Sequence, residues 1–388
     1  MKRDLQGRYV PLVIEGEELE AFVPNPLPPD PPIRPTADLT SISDSALLAM
    51  GQLNGVLSTL EDHESIAKLL GYLEAVLSCQ IDDLPSNVVS MFHARMGCPI
   101  AISSIETQEA LCYTLAQKEG FEHLEKGDVI NADFVRMVKF PLTPEVKTTV
   151  EMAFFREGAH WVEGVRPREA AFVPPPAGEI PRLIDDWDAF LHSTCGNHPM
   201  VQKLALAHVQ FMTICPFYDR NGRVARALVP MMLREGKMLP EPVLLLSHYL
   251  FHHRETYFQL LHNVRKTGDW ELWIGFFGKA LEEGATLALS IAKDLQAQFI
   301  KDRQALVENR ASASVQQLLR EFARYPISTS AFLAEKTGLM PMTINKALAH
   351  LEDMGIIREM TGQRRYRVYN YTAVVDIMNR GIGFETNF

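Results

Sequence analysis

One twelve-residue segment gathers side chains that could handle a phosphate: Cys215–Arg226, CPFYDRNGRVAR. A helical pattern ends at Ile214 and another starts near Asn221. Free N–H groups and the helix dipole at such a start favour anions. Arg223 and Arg226, three residues apart, share one helix face, and both could fork onto phosphate oxygens. Asp219 could hold a Mg2+ ion that bridges phosphates. The spacing alone leaves two readings open: a nucleotide-phosphate site, or a capped loop with two surface ion pairs.

The elements that must position this segment read as helices. Apolar residues recur at three and four over Ser43–Leu60, with Ser43 or Asp44 as its cap, and over Ser65–Ser78, Leu84–Gly97 and Ser103–Gly120. Glu179–Ser193 and Pro199–Ile214 lead into the segment, and Pro199 suits a first helical turn. Asn221–Gly236 leads out of it, with Pro230 as a kink. Leu246–Gly268 and Asp269–Phe299 complete an all-helical core. Two stretches break the pattern. Residues 1–37 end in PNPLPPDPPIRP, which predicts an extended arm because proline removes donors and clashes with the preceding turn. Met152–Pro176 mixes aromatics, glycines and short apolar steps, which predicts a β-hairpin.

The last part of the chain reads differently again. Helical stretches at Ser314–Tyr325, Ser328–Leu339 and Met342–Gly355 precede a hairpin-like alternation at Ile356–Tyr371, the order of a winged helix. Thr343, Asn345, Lys346 and His350 would lie on its recognition helix, and Arg364, Arg365 and Arg367 on its wing. These groups suit DNA phosphate contact; winged helices also serve as protein-docking or dimer modules. The chain therefore divides at 1–125, 126–300 and 301–388.

Composition bounds the remaining classes. With 47% hydrophobic and 22% charged residues, the 388-residue chain is that of an ordinary soluble protein. No apolar run is long enough to span a membrane, and the first residues lack a signal-peptide pattern, which predicts a cytoplasmic location. Cys79, Cys98, Cys112, Cys195 and Cys215 form no CxxC pair, which argues against disulfides and structural zinc. The net charge of −10 disfavours coating of nucleic acid. The charge is uneven: 12 Lys+Arg face 9 Asp+Glu from Lys301 onward, against 26 and 39 before it. Weaker candidates are the Cys195–His198 CxxH spacing, the His248–His252 helical pair, Tyr249 and Tyr257 as aromatic residues at the helical spacing usual for a core, and His208 as a structural histidine.

The segment resembles the signature of the Fic family, His-Pro-Phe-x-Asp/Glu-Gly-Asn-Gly-Arg-x-x-Arg. Pro216, Phe217, Asp219, Asn221, Gly222, Arg223 and Arg226 match it. Phe172–Pro176, Leu204–Ile214 and Leu244–Phe277 look like the same family, in which a helical leader and a winged-helix tail are frequent. The resemblance implies an all-α, Fic-type helical bundle with a small β-hairpin flap and a C-terminal winged helix-turn-helix domain. It implies AMP transfer from ATP to a hydroxyl of a target protein. Asp219 would hold Mg2+, the Asn221–Gly222 amides would cradle phosphate oxygens, and Arg223 and Arg226 would contact the β- or γ-phosphate. Phe217 would belong to the nucleotide site, and His160–Gly164 would be the flap that aligns the target chain.

Two positions depart from the signature. Its general base is a histidine, and position 215 is Cys. A thiol of pKa ~8.5 accepts a proton less readily at neutral pH than an imidazole of ~6.5. Arg220 replaces a glycine, where it could obstruct the phosphate nest or add a contact. Members of the family also carry an inhibitory helix reading Ser/Thr-x-x-x-Glu-Gly/Asn. Ile102–Thr107, ISSIET, keeps its glutamate as Glu106, which would pair with Arg226; the alternative is a solvated helix glutamate. The implied protein is an ATP-binding adenylyltransferase of impaired or altered catalysis, acting on an unidentified target. The alternative is a catalytically inactive, nucleotide-sensing regulator whose winged helix binds DNA or a protein partner, with a homodimer as a candidate assembly.

Overall fold

The computed structural model describes residues 3–96, 104–139, 141–142, 154–193 and 198–381. In chain order they form β1 (Gly7–Ile14), β2 (Glu17–Pro24), α1 (Ala37–Leu57), α2 (His63–Ile81), α3 (Val88–Arg95), α4 (Ile105–Glu125) and α5 (Ala132–Lys139). There follow α6 (Ile180–His192), α7 (Met200–Ile214), α8 (Asn221–Glu235), α9 (Leu246–His252), α10 (Arg254–Thr267) and α11 (Trp270–Glu308). The last elements are α12 (Ala313–Arg324), β3 (Ile327–Thr329), α13 (Ser330–Thr337), α14 (Pro341–Asp353), β4 (Arg358–Glu359), β5 (Val368–Asn370) and α15 (Thr372–Gly381). Among the described residues no helix is long and apolar enough to cross a membrane. They fall into two compact units, one of Met1–Gly51, Cys112–Pro242 and Tyr249–Gly284, the other of Gln52–Leu111, Val243–His248 and Ala285–Phe388.

The first unit is built around α7. Leu204 to Phe211 are buried without a break, which is why LALAHVQF carries no polar stripe; a helix apolar all round is a central one. α6, α8 and α10 pack against it. Two buried indoles satisfy their N–H groups on its carbonyls, Trp187 on Ala207 at 2.9 Å and Trp273 on Ala205 at 2.7 Å. His208 is buried between Tyr257, whose hydroxyl lies 2.8 Å from Nε2, and the stacked ring of Trp273. Burial pushes its pKa down to about 3, with Arg226 adding to the effect. His208 is thus a neutral core group, and Tyr257, fully buried, is core as well.

Three local expectations give way. Residues 1–37 hold more than an extended arm: β1 and β2 pair antiparallel from Gly7↔Pro24 to Ile14↔Glu17. They turn at Glu15 and Gly16, both at positive φ (50° and 82°), as tight hairpin turns require. The predicted hairpin in Met152–Pro176 reduces, within its described part from Phe154, to a single bridge between Val162 and Phe172. Pro167 starts a 3-10 turn there and Pro174–Pro176 follow, so the backbone lacks the donors for a ladder. β2 supplies what that strand lacks, since the Phe22 N–H donates to the Val173 carbonyl at 3.0 Å. Finally, neither Ser43 nor Asp44 caps α1. The helix begins at Ala37, the Thr36 hydroxyl accepts the Leu39 N–H at 3.2 Å, and Ser43 is a buried interior residue. A smaller departure is the break at His253, which splits Leu246–Gly268 into α9 and α10.

The second unit contains the C-terminal elements in the order α12–β3–α13–α14–β4–β5, with a three-stranded antiparallel sheet ordered β3-β5-β4. Thr329 caps α13 by accepting the Phe332 N–H, and Gly338 ends it at φ 69°, where an L-residue would be strained. Pro341 then opens α14.

Candidate nucleotide-phosphate site

The Cys215–Arg226 loop is held by its own strained ends and by two braces. Cys215 ends α7 at φ 48° and Arg220 precedes α8 at φ 60°. Each left-handed non-glycine residue costs on the order of 1 kcal/mol, so neighbouring contacts must hold it. The first brace is Asn221. Its Oδ1 accepts the Phe217 N–H at 2.9 Å, and its Nδ2 donates to the Phe217 carbonyl at 2.8 Å and lies 3.2 Å from the Cys215 sulfur. The second is Arg156, 2% exposed. Its guanidinium donates to the carbonyls of Cys215 (2.9 Å), Gly158 (3.0 Å) and Pro175 (2.5 Å), and its backbone N–H to that of Pro216 (2.9 Å). Arg156 thereby ties the flap region to the loop.

At the α7 end the chemistry is quiet. Cys215 is 4% exposed. Burial pushes its thiol up to about 11, against the opposing pull of Arg156 and Arg265. A thiol that stays protonated at neutral pH cannot accept a hydroxyl proton.

At the α8 end charge is concentrated. Lys139, the last residue of α5, places Nζ 2.7 Å from Asp219 Oδ1; the lysine side chain is 3% exposed and the carboxylate 50%. Burial lowers the Lys139 pKa, and the Asp219 carboxylate opposes that shift. Arg220 pairs with Asp219 Oδ2, so the residue in the glycine position folds back onto its neighbour. Lys139, Phe217, Tyr218 and Asp219 line a cavity of about 670 Å3 with Phe154, Phe155 and Glu157, a size that suits a small-molecule ligand. Arg223 and the fully buried Arg226 follow in the first turns of α8, which excludes the surface ion-pair reading of both. Gly222, between them and the loop, is half-buried.

Residues 143–233, which span this loop, match the model of the Fic/DOC family. They are a Fic/DOC family domain. The protein adenylyltransferase Fic of Drosophila grimshawi is 28% identical over 172 residues, 44% of this chain and 34% of that protein. That of Aedes aegypti is 30% identical over 126 residues, 32% of this chain and 23% of its own. The homology is distant, and the chain spans about a third or less of the length of these curated relatives. A Fic family protein from Desulfovibrio desulfuricans G20 has the same fold, with a TM-score of 0.52 at 18% identity over 87% of this chain and 97% of that one. A Fic domain containing signaling protein from Bacteroides thetaiotaomicron reaches 0.50 at 15% identity over 66% and 98%.

Within the Fic domain the predicted residues Cys215, Phe217, Asp219, Arg220, Asn221, Gly222, Arg223 and Arg226 lie in one loop and helix start, while the sequence alone missed Lys139 and Arg156. Both Asp219 oxygens carry a side-chain cation. Among the described residues no group of three or more His, Cys, Asp or Glu could hold a metal ion, but a Mg2+ ion held by one carboxylate and phosphate oxygens needs no such group. Among the described residues the His248–His252 pair belongs to no such group. Cys195 of the CxxH spacing and Ile102 of the inhibitory pattern lie outside the described residues. Glu106 is in the first turn of α4, where a hydrogen bond from Ser104 is the main cause that lowers its carboxyl pKa. It belongs to the second unit and Arg226 to the first.

Proposed function

We propose that this Fic domain binds ATP through the Cys215–Arg226 loop and that its transfer of AMP to a protein hydroxyl is impaired. One observation carries the reading: the loop keeps the signature's two arginines, Arg223 and Arg226, while the position that needs a proton acceptor holds a buried, protonated thiol. Phosphoryl and nucleotidyl transfer depend mainly on positioning and charge stabilisation, so binding outlasts the loss of a base. A general base contributes roughly two to four orders of magnitude in rate, which sets the scale of the impairment. Asn221 supports the same reading, since it holds the loop closed around Phe217.

A second reading draws on the tail. Met340 and Met342 are exposed at the start of α14, as are Arg364, Arg365 and Tyr366 between β4 and β5. On this reading the α12–β5 region is a winged helix that binds DNA or a protein partner, and the Fic domain senses nucleotide without transferring it. Incubation of the full chain with a cellular extract and ATP radiolabelled on the α-phosphate separates the two. The wild type is compared with Cys215→His and Cys215→Ala. Transfer by Cys215→His alone supports the regulator. Transfer by the wild type that Cys215→Ala abolishes supports an enzyme that uses the thiol and overturns the impaired-base reading.

A further inference from the structure

We propose that the second unit holds a ligand site of its own, where Lys68 and Arg95 meet the rings of Tyr325 and Phe332, and that it takes the phosphate group of a small phosphate monoester. Arg95, Met96, Tyr325, Phe332, Glu335 and Lys336 line a cavity of about 290 Å3 there, a volume for a small molecule rather than a peptide. They come from the end of α3, the residue that follows α12, and α13, and all belong to one compact unit. The Tyr325 and Phe332 rings meet edge to face with centroids 4.9 Å apart, an apolar wall for the body of the ligand. Lys68, on α2, brings its ammonium to 3.4 Å from the centre of the Tyr325 ring.

Four cations gather around this corner, and two of them lack a carboxylate. Arg324 pairs with Glu64 at 3.4 Å and Glu321 at 3.9 Å, and Lys336 with Glu335 at 3.2 Å. Among the described residues neither Lys68 nor Arg95 makes an ion pair. Their neighbours are rings: Tyr325 for Lys68, and for Arg95 the Tyr72 ring, whose centre is 5.8 Å from the guanidinium. Burial, then Arg95 and Arg324, lower the Lys68 pKa to about 7; Lys336 adds to the effect and Glu321 opposes it. A ring face recovers only part of what a counter-ion supplies to a cation. A phosphate monoester carries close to two negative charges at neutral pH, so one such group answers both cations. The guanidinium fork suits its oxygens, and the ammonium meets it as a point charge.

The test is calorimetric titration of the full chain with phenyl phosphate at constant ionic strength, at about pH 7 and at about pH 9. The wild type is expected to bind at the lower pH and about fivefold or more weakly at the higher one, because the probe stays a dianion while Lys68 loses its proton. Lys68→Met and Arg95→Leu are each expected to lose about tenfold at the lower pH, the scale of one charge-assisted hydrogen bond. Lys68→Arg is expected to keep the binding and lose its pH dependence, an outcome that misfolding does not produce. Benzoate, with the same ring and a single charge, is expected to bind more weakly than phenyl phosphate. Absence of wild-type binding overturns the proposal. So does binding that both Lys68→Met and Arg95→Leu retain, which would place the probe elsewhere, the Cys215–Arg226 loop included. Equal or tighter binding of benzoate overturns the assignment to phosphate.

Discussion

Cys215 and Asp219 stand four residues apart in one loop, and solvent separates their chemistry. The Cys215 thiol lies under the flap region, below Arg156, and stays protonated because a thiolate there would lose its hydration. The Asp219 carboxylate is half exposed at a cavity wall and pairs with Lys139 and Arg220. On the proposed function, the difference teaches that phosphate capture and proton handling are separable in this loop. One depends on charges that gather around an open cavity, the other on a single group at a buried helix end.

The comparison breaks most severely if the brace over Cys215 is removed. Arg156→Leu leaves the carbonyls of Cys215, Gly158 and Pro175 without their guanidinium donors. At roughly 1 kcal/mol or more for each orphaned buried group, the expected loss is about 3 kcal/mol, measured by denaturant unfolding. Arg156→Lys should recover only part of it, because one ammonium lacks the fork that reaches three acceptors. An unchanged midpoint in Arg156→Leu would show that the loop holds its strained ends without this brace.

The next effect sharpens the contrast in protonation. The folded thiol ionises near pH 11, while an unfolded cysteine ionises near ~8.5. Between those values the folded state keeps a proton that the unfolded state has lost. The contribution is therefore fully present below the lower value and is lost as pH rises through the window. Iodoacetamide should modify Cys215 far more slowly than the half-buried Cys112 at pH 8, with a rate that climbs about tenfold per pH unit towards 11, as thiolate fraction dictates. Fast labelling at pH 8, followed by peptide mass spectrometry, would place the thiol in a different environment. Asn221→Ala should cost about 2 kcal/mol through the unpaired Phe217 N–H, measured by denaturant unfolding.

How far these features could be read in the sequence follows from how local they are. Helices with a sustained apolar period, such as α2, α6 and α7, lie where the pattern puts them, because burial of one face or of the whole helix is written residue by residue. The loop was legible because the residues that match the family signature are contiguous. The β1–β2 hairpin was not, although GRYVPLVI and EELEAFVP flank a Glu-Gly turn, because the proline run that follows dominates the reading of that region. Lys139 and Arg156 were invisible for another reason. They are 80 and 59 residues from the partners they hold, and a basic residue that ends a helix looks like any group complementing the dipole. Pairing at that distance is a property of the packed unit, and no local spacing encodes it.

The smallest effect lies where the flap region meets the loop. The Tyr218 hydroxyl accepts the Gly158 N–H at 2.7 Å, and the His160 ring stands edge-on to the Tyr218 ring with centroids 6.1 Å apart. Both partners of this hydrogen bond are solvent-accessible, so water can replace it, and Tyr218→Phe should cost only about 0.5 kcal/mol. Gly158→Ala acts on the same contact from the other side. An added Cβ would stand 2.8 Å from the Tyr218 oxygen, which forces the ring to shift but leaves the backbone unstrained. The two substitutions remove one interaction, so the double variant should lose no more than the larger single loss. A double loss equal to the sum, measured by unfolding of all four proteins, would mean that Tyr218 and Gly158 act independently and that Arg156 alone couples the flap region to the loop.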